Sequence, residues 1–342
     1  MAGHGKMGQQ QAAGELHRLI NGFQVSQAIH VAAVLGVADH MDAGPRASDE
    51  IAAAVGAHSG ALYRLLRALA TIGIFREDED RRFSLTAMGE CLRSDAGQPV
   101  RPFARFIGQA YLWQAWGHLL HSVKTGENAF RALHGTDIWA YREWHPEQNA
   151  IFNAAMTGNS RRVDLAIVAA YDFSRFERIA DIGGGQGSLL AAILAANPEV
   201  RGVLFDLPHV VATAAPVLAA AGVETRCKVV DGSMFEAVPD GCAAYVMKFI
   251  IHDWDDADCI RILQVCRRAM PSDAKLFVID RLVGPPNEDP AVKFSDLHML
   301  VGPGGQERTR EEFAALFRAG GLRLADVVAT SAPVTVIVGE PL

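Results

Sequence analysis

The feature that most constrains the fold of this 342-residue chain is a glycine-rich turn between an apolar segment and a helical one. The apolar segment, 179–182, has the length and β-branched residues of a buried strand. Leucines after the turn recur at helical spacing until Asn197-Pro198, which ends the predicted helix. The turn contains Gly183, Gly184, Gly185 and Gly187. Because glycine has no Cβ, a ligand can lie against the peptide groups at this helix N-terminus.

The spacing of these glycines and two nearby acids indicate the kind of ligand. The turn reads G-x-G-x-G, whereas a nicotinamide fingerprint, G-x-G-x-x-G, would need a third glycine at Ser188. Asp181 precedes the first glycine by two residues, and its carboxylate suits a cationic ligand better than a pyrophosphate. Asp206 ends the next apolar segment, at the spacing where an acid commonly holds a ribose diol. These positions predict an adenosyl ligand without phosphates.

Five motifs, in order between residues 178 and 309, resemble those of the small-molecule O-methyltransferases that use S-adenosylmethionine (SAM). This family includes plant caffeic-acid and flavonoid enzymes and bacterial polyketide-tailoring enzymes. The motifs are Asp181-Ile-Gly-Gly-Gly-Gln-Gly187, Phe205-Asp-Leu-Pro208, Asp231-Gly-Ser-Met-Phe235, Lys248-Phe-Ile-Ile-His-Asp-Trp254 and Gly304-Gly-Gln-Glu-Arg-Thr309. The resemblance implies an α/β fold with a Rossmann-like, seven-stranded SAM-methyltransferase sheet. It also implies SAM as the cofactor and methyl transfer to a hydroxyl group.

Strand and helix patterns alternate from residue 178 onward, which predicts a sheet of mostly parallel strands. The predicted strands lie near 178–183, 202–206, 226–231, 243–249 and 275–281. Two last apolar segments, 323–328 and 334–338, have no helical pattern between them and predict an antiparallel hairpin at the sheet edge. The expected domains are a helical and winged-helix-like dimerisation domain (1–100), linking helices that contribute to the acceptor pocket (101–165) and a SAM-binding catalytic domain (166–342).

The N-terminal region carries more apolar surface than one thin helix pair can hide within a monomer. Residues 11–40 have apolar side chains at roughly helical spacing, interrupted near Gly22 and ended by Gly36. In the resembling family this region interlocks with a second subunit, which implies a homodimer. Packing of the region against its own chain is the alternative.

Residues 48–95 have the predicted order of elements of a winged helix, which is helix, turn, helix and hairpin, and this module can bind DNA. A second helix is predicted over 61–72 and a charged hairpin over 75–83. The second helix is mainly apolar, with only Arg64 and Arg67 as basic residues. Nonspecific DNA affinity needs a basic excess, whereas the formal net charge of the chain is -7. We therefore expect no nucleic-acid partner.

Other features bear on location and metal binding. The opening ten residues lack the apolar core of a signal peptide, and no later stretch has the length of a membrane span without charges. We expect a cytoplasmic protein with no membrane partner.

The five scattered cysteines lack metal-ligand spacing. We expect no metal site, because one acidic cluster is interpreted as capping and charging the N-terminus of the helix that follows. This cluster contains Asp253, Asp255, Asp256 and Asp258.

The cofactor-binding residues follow partly from the sequence and partly from the resemblance. Asp231 ends the third strand and can bond the adenine amino group, while Met234 and Phe235 can sandwich the ring. Lys248 ends the fourth strand, where it can meet the cofactor's carboxylate. The resemblance implies that Ser160 also touches the cofactor. The full predicted set is Ser160, Asp181, Gly183, Gly185, Asp206, Leu207, Asp231, Gly232, Met234, Phe235 and Lys248.

His252 is the predicted general base for deprotonating a phenol. It follows the fourth strand, at the crevice where open α/β sheets place their ligands, and imidazole titrates near neutral pH. The resemblance implies that Asp280 and Glu307 flank the imidazole, orient it and favour its protonated form. Plant members usually have Glu at the first of these positions, so the side chain of Asp280 is one methylene shorter.

The predicted acceptor is a phenol-bearing natural product. Aromatic residues are dense between Phe103 and Met156 and favour a planar partner. The resemblance implies that Phe152 and Met156 contact the acceptor and that the helix around 294–299 closes the pocket, with His298 interpreted as structural. The predicted acceptor-binding set is Trp113, Phe152, Met156, Phe249, Asp253, Asp296 and Met299.

The sequence leaves two other functions open. A relative of the same fold could retain SAM and carry out hydroxylation or decarboxylation, and a SAM-sensing winged-helix regulator would have no enzymatic activity. His252, Asp280 and Glu307 favour methyl transfer over the first alternative. The acidic net charge and the weakly basic second helix argue against the second.

Overall fold

The computed structural model describes residues 8–41, 44–97 and 99–342, without the side chains of Asn159, Arg161 and Arg162. The first seven residues, which belong to the segment interpreted as lacking a signal peptide, lie outside this description. The chain divides into two compact units, Met1–Ala110 and Tyr111–Leu342. No helix in the described part of the chain is both long enough and apolar enough to cross a bilayer.

The first unit consists of short helices and a small antiparallel sheet. Its elements are α1 (Gln9–Ile20), α2 (Gly22–Leu35), β1 (Arg46–Ala47), α3 (Ser48–Val55), α4 (Ser59–Thr71), β2 (Phe75–Glu77), β3 (Arg82–Leu85), α5 (Ala87–Glu90) and α6 (Arg101–Ile107). The helix pair and the hairpin expected over 48–83 are present as α3, α4, β2 and β3. Strand β1 pairs with β3, which gives the order β1-β3-β2. Ile51, Leu66 and Phe83 lie fully buried between these elements.

The two N-terminal helices have apolar side chains that the unit itself does not cover. Helix α2 begins at Gly22 and ends before Gly36, where the expected helix was interrupted and ended. Gly36 has a φ of 69°, the left-handed conformation that glycine adopts without strain. Helix α1 has no buried residue. Its Leu16, Leu19 and Ile20 side chains are about 60% exposed.

The second unit contains the larger sheet and its covering helices, and helix α7 (Ala110–Gly117) begins at the boundary. Before the sheet come α8 (Leu119–Thr125), α9 (Ala129–His134), α10 (Ile138–Trp144) and α11 (Pro146–Ala170). The remaining elements are β4 (Arg178–Ile182), α12 (Ser188–Ala196), β5 (Arg201–Asp206), α13 (Pro208–Val211), α14 (Ala215–Ala220), β6 (Cys227–Asp231), β7 (Ala244–Lys248), α15 (Asp256–Ala269), β8 (Lys275–Asp280), α16 (Pro290–Val301), α17 (Arg310–Ala319), β9 (Leu322–Ala329) and β10 (Thr335–Pro341).

Seven strands within the described residues form one sheet, in the order β6-β5-β4-β7-β8-β10-β9. Strands β4 to β8 are parallel, and β9 and β10 form the predicted antiparallel hairpin. The final strand lies against β8, with Thr335 opposite Asp280, so β9 forms the outer edge. The predicted α/β fold with a seven-stranded sheet is confirmed.

The sheet is buried on both faces because successive side chains of a strand point to opposite sides. Ile179 and Phe277 belong to the apolar cluster on one face. Their chain neighbours Ala180 and Leu276 belong to the cluster on the other face. Strand β4, at the centre, is buried at every position after its first.

A charged residue lies at or next to the carboxyl end of each parallel strand. These residues are Asp181 on β4, Asp206 on β5, Asp231 on β6, Lys248 on β7 and Asp280 on β8. Strand register places Asp206 directly opposite Asp231. Because parallel strands end at the same edge of a sheet, five separate segments of the chain bring their functional groups to one crevice.

Candidate functional site

The turn between β4 and α12 presents backbone rather than side chains. Gly183 and Gly185 have φ values of 67° and 60°, in the left-handed region. A Cβ atom at Gly183 would collide with the Ile250 side chain, whereas one at Gly185 would meet nothing within 4 Å. The backbone at Gly185 is therefore open to a ligand, at the N-terminus of a helix.

Asp206 holds this turn in place. Its Oδ2 accepts the Gly185 N–H at 2.8 Å, and its Oδ1 accepts the Leu207 N–H at 2.7 Å. Burial raises the pKa of Asp206, and the two hydrogen bonds from backbone N–H groups oppose that rise. Each oxygen keeps a further lone pair, so the carboxylate can also accept bonds from a diol. The role in shaping the turn was not predicted from the sequence.

Asp181 supplies an unsatisfied buried acceptor. The residue is 1% exposed, and its Oδ2 has no hydrogen-bond partner among the described residues. Burial raises the pKa of Asp181 to about 7, against the lowering effect of the nearby Lys248 ammonium. A buried oxygen of this kind is costly unless a donor reaches it. A cationic amino group would satisfy it.

Lys248 is held by helix α11. Its ammonium forms an ion pair with Asp164 and donates to the Ser160 hydroxyl at 3.0 Å. Both partners are buried, and their spacing of four residues places them on one face of the helix. Sequence reasoning missed Asp164, although its spacing from Ser160 was the available signal.

The expected adenine side of the site lies after β6. Asp231 is exposed there, while Met234 and Phe235 are partly buried against the core. The Phe235 ring meets the Trp254 ring edge to face at 4.7 Å between centroids. A Cβ atom at Gly232 would lie 2.8 Å from the Phe205 ring, so only glycine fits this approach.

These groups fit SAM. The unsatisfied Asp181 oxygen matches an amino group, and the open backbone at Gly185 leaves room for the ligand. Asp206 and Asp231, side by side on neighbouring strands, offer acceptors for a ribose and an adenine amino group.

His252 lies in a 3₁₀ turn, Ile251–Asp253, just after β7. It is 6% exposed. Its Nδ1 is 3.2 Å from Glu307 Oε1, with hydrogen-bond geometry, and 3.1 Å from Asp280 Oδ1. The shorter Asp280 side chain therefore still reaches the ring. A proton on Nδ1 faces these two acids, which leaves Nε2 as the nitrogen that can accept a substrate proton.

The neighbouring acids change the proton affinity of His252. Burial lowers the pKa of His252, but Asp280, Asp253 and Glu307 outweigh burial and raise it to about 9. Burial raises the pKa of Asp280 to about 7. Burial also opposes the ionisation of Glu307, yet its bond with His252 brings its pKa below the usual range. The cluster therefore stabilises a protonated imidazole.

Glu307 is positioned by two residues that sequence reasoning did not single out, Ser295 and Arg281, and by one that it did, Asp296. The Ser295 hydroxyl donates to Glu307 Oε1 at 2.7 Å, and Arg281 Nη1 donates to the same oxygen at 3.3 Å. Asp296, predicted to contact the acceptor, accepts the Glu307 N–H at 2.9 Å. Together these bonds fix the carboxylate that faces His252.

Arg308 fixes the turn that carries His252. It is fully buried and donates to the carbonyl oxygens of Ile251 at 3.1 Å and Trp254 at 2.9 Å. Its ion pair with Asp256 measures 2.8 Å. A Cβ atom at Gly305 would collide with the same turn. The loop from 304 to 309 is thus packed directly under the predicted base.

Phe249 lies between Lys248 and the His252 turn in a strained conformation. Its φ of 57° is unusual for a residue other than glycine. Its ring stacks on His252 at 5.4 Å and 19°, and the Arg281 guanidinium lies 4.8 Å from its centroid. The strained backbone therefore places an aromatic face against the imidazole.

An aromatic cluster with a buried arginine lies beside this turn. The Arg142 guanidinium is 3.7 Å from the Phe152 ring centroid, and Trp139 meets the Phe152 and Trp254 rings at 5.9 and 6.1 Å. Asp253 interacts electrostatically with Arg142, and its Oδ1 is 3.7 Å from His252 Nε2. The remaining predicted acceptor residues are buried or partly buried: Trp113, Met156 and Met299.

The acidic segment after His252 caps and charges the N-terminus of α15 except at Asp253, since Asp256 and Asp258 lie in the first turn of that helix. Asp255 alone is the N-cap of α15, where it accepts the Asp258 N–H at 2.9 Å. Asp253 points instead toward His252 and Arg142, and Asp256 pairs with Arg308. The interpretation of Asp253 as a helix-capping acid is wrong, because only the residue before the first helical turn can cap it.

Comparisons with known sequences show the family of the chain. An O-methyltransferase domain family matches residues 116–323, and an O-methyltransferase dimerisation domain family matches residues 17–95. The phenazine O-methyltransferase PhzM of Lysobacter antibioticus is 44% identical over 96% of each chain. The mitomycin biosynthesis 6-O-methyltransferase of Streptomyces lavendulae is 42% identical over 90% of this chain and 88% of its own.

Solved structures share the fold described above. The crystal structure of LaPhzM superposes with a TM-score of 0.94 at 42% identity, covering 97% of this chain and 99% of its own. NcsB1, an O-methyltransferase from neocarzinostatin biosynthesis solved with SAM and 2-hydroxy-5-methyl naphthoic acid, gives 0.81 at 34% identity, covering 93% and 96%. The chain belongs to the SAM-dependent O-methyltransferase family.

Proposed function

We propose that this enzyme transfers the methyl group of SAM to a phenolic hydroxyl of an aromatic natural product, with His252 as general base. The observation that carries this proposal is the buried imidazole with Nδ1 against Glu307 and Asp280. That arrangement leaves Nε2 as the nitrogen that accepts the proton of the substrate hydroxyl. It also stabilises the imidazolium that forms, as expected of a base oriented by acids.

The cofactor-binding residues divide by the part of SAM that each would hold. Asp181, Lys248 and Ser160 would bind its amino acid portion, and Gly183 and Gly185 would lie against it. Asp206 and Leu207 would bind the ribose, while the residues after β6 would hold the adenine: Asp231, Gly232, Met234 and Phe235. When bound, SAM supplies a methyl group on a sulfonium, which an oxygen nucleophile can attack.

The acceptor would lie between His252 and the aromatic cluster. In this proposal Trp113, Phe152, Met156 and Met299 give the pocket its apolar walls, and Phe249 covers the imidazole. Asp253 and Asp296 are the polar members of the set. Holding the hydroxyl next to the base removes the entropic cost of bringing the two together, which commonly supplies much of the rate enhancement. Two relatives are named for phenazine and mitomycin methylation, which supports an aromatic or quinonoid acceptor.

The reaction needs no metal in this proposal. Donor atoms of His252, Asp280 and Glu307 lie within 4.8 Å of one another, a spacing that could hold an ion. The distance of 3.2 Å from Nδ1 to Glu307 Oε1 is, however, the one expected when a proton lies between nitrogen and oxygen. Arg281 and Ser295 already use the Glu307 oxygen that faces the ring.

The proposed function predicts that a labelled methyl group passes from SAM to a phenol. Incubation with methyl-labelled SAM and a panel of phenolic acceptors, followed by mass spectrometry, should give a labelled ether and one S-adenosylhomocysteine per transfer. Acceptors whose hydroxyl is already methylated are the matched control and should gain no label. Hydroxylated or decarboxylated products without label would contradict methyl transfer and favour a SAM-retaining chemistry.

We further propose a homodimer in which residues 1–100 form the dimerisation domain, 101–165 link the domains and contribute to the acceptor pocket, and 166–342 carry the catalysis. The exposed apolar face of α1 supports this arrangement. The five cysteines are free, which supports a reducing, cytoplasmic location.

The dimer proposal predicts that charges on the apolar face of α1 separate the subunits. Leu16→Glu combined with Leu19→Glu should give a monomer by light scattering, because both side chains are exposed within one chain and the core of the unit is untouched. Arg18→Glu, on an exposed polar position of the same helix, is the matched control and should stay dimeric. A dimer that persists in the double variant would place the interface elsewhere.

A further inference from the structure

His298, on α16, is held by Trp116. The Trp116 Nε1–H donates to His298 Nδ1 at 3.0 Å, and the two rings stack with centroids 6.1 Å apart at 19°. An indole N–H can only donate, so Nδ1 must be the unprotonated, accepting nitrogen. A neutral imidazole that accepts at Nδ1 carries its proton on Nε2. Trp116 therefore fixes the tautomer of His298.

The surroundings of His298 keep this imidazole neutral. Burial, together with the positive charges of Arg142, His252 and Arg281, lowers its pKa to about 4. At neutral pH the ring is therefore uncharged. The same three charges show that His298 lies within electrostatic reach of the predicted base and of the aromatic cluster around Phe152.

The position of His298 on α16 directs it toward the same space. Ser295 and His298 are three residues apart and share a helix face. The Ser295 hydroxyl contacts Glu307, the acid beside the predicted base. In the described part of the chain, Trp116 is the hydrogen-bond partner of the His298 side chain, through Nδ1. The Nε2–H is thus a donor for which the described part of the chain records no hydrogen-bond partner, and it lies near Gly302 at the end of α16.

We propose that His298 is a specificity-determining residue whose Nε2–H donates a hydrogen bond to a neutral acceptor atom of the aromatic substrate. This inference rests on the proposed function. The fitting substrates are phenols that carry a ring nitrogen or a carbonyl oxygen, and carbocyclic phenols of the same shape would leave the donor unsatisfied. A site built to hydrogen-bond a polar atom discriminates against the analogue that lacks it.

Two probes of nearly identical shape test this assignment. 1-Hydroxyphenazine has ring nitrogens, and 1-hydroxyanthracene has C–H groups in the same places. Binding of each probe to the S-adenosylhomocysteine-loaded enzyme, measured by calorimetry, gives a readout independent of turnover. The wild type should bind the phenazine about 2- to 13-fold more tightly, the ratio expected for one net hydrogen bond.

The variants separate the donor from the packing of the ring. His298→Phe keeps an aromatic ring and should bring the affinity ratio close to one. Trp116→Phe keeps an aromatic ring against His298 but removes the N–H that fixes the His298 tautomer. It should lower the ratio of probe affinities only in part. His298→Gln keeps an N–H donor and should retain more of the preference than Phe does, provided that circular dichroism shows both variants folded.

The outcomes distinguish this inference from the proposed function. A wild type that binds both probes equally, or a preference unchanged in His298→Phe, overturns the role of His298. Such a result leaves the proposed function in place if label still passes from SAM to phenols. Failure of label transfer to every phenol overturns the proposed function, whatever the ratio of probe affinities.

Discussion

Replacing His252 with Ala should lower kcat by about 10²–10⁴-fold, the usual contribution of a positioned base. SAM affinity should be unchanged, because the groups assigned to the cofactor come from other segments of the chain. Turnover of the best acceptor and calorimetry with S-adenosylhomocysteine measure the two quantities. A variant with wild-type turnover and an unchanged pH profile would eliminate His252 as the base.

The pH dependence of the same reaction gives an independent check on this role. A base must be unprotonated to act, and the pKa of His252 is raised to about 9. In the wild type kcat/KM, which reports the free enzyme, should therefore rise with pH toward about 9. In His252→Ala that limb should disappear, and activity should recover partly at a pH near 10, where a phenol of about that pKa ionises without help.

Asp280→Asn should move the rising limb to lower pH, because loss of a negative charge beside Nδ1 lowers the pKa of His252. Asp255→Asn is the matched control, since this acid caps α15 rather than facing the imidazole. It should leave the limb in place. If the pH at which kcat/KM rises were unchanged in Asp280→Asn, the rise would report the ionisation of another group, such as the substrate hydroxyl.

Asp206→Ala should weaken SAM binding by about 10- to 150-fold, which corresponds to about 1.5–3 kcal/mol for bonds to a charged group. The variant loses the acceptors proposed for the ribose. It also frees the Gly185 N–H, which Asp206 now holds at 2.8 Å. Calorimetry with SAM measures the loss, and unchanged affinity would contradict the ribose assignment.

A cofactor analogue separates the two contributions of Asp206. Wild type and Asp206→Ala can each be titrated with S-adenosylhomocysteine and with its 2′,3′-dideoxy form. If the carboxylate binds the diol, removal of the hydroxyls should cost much less in the variant than in the wild type. Equal costs in both proteins would mean that Asp206 acts only by shaping the turn.

The strand ends and motif residues could be predicted because local patterns determine them. Asp206 and Asp231 each end a strand of five or six residues, and parallel pairing then places them side by side. The bounds of the parallel strands agree with the predictions to within one residue at each end. At this edge of the sheet, alternation of strand and helix was enough to assemble most of the proposed site.

The contacts that orient the proposed site could not be predicted in the same way. Trp116 and His298 are 182 residues apart, and Lys248 and Asp164 are 84 apart. No periodicity links residues at such separations, so their pairing depends on how the helices pack onto the sheet. The role of Asp253 was also missed, because a difference of two positions decides whether an acid caps a helix, as Asp255 does, or faces the proposed base, as Asp253 does.

The buried Arg308 has a consequence for how enzymes of this type can diversify. By donating to the carbonyl oxygens of Ile251 and Trp254, it joins the turn of the proposed base to the loop from 304 to 309, next to the larger sheet. The aromatic side chains proposed to receive the acceptor lie mainly on α7, α10 and α11, outside that sheet. Mutations on those helices can therefore reshape the cavity for a new scaffold while the proton-transfer geometry is inherited intact. Directed evolution of acceptor choice should start from α7, α10 and α11 and leave the loop from 304 to 309 unchanged.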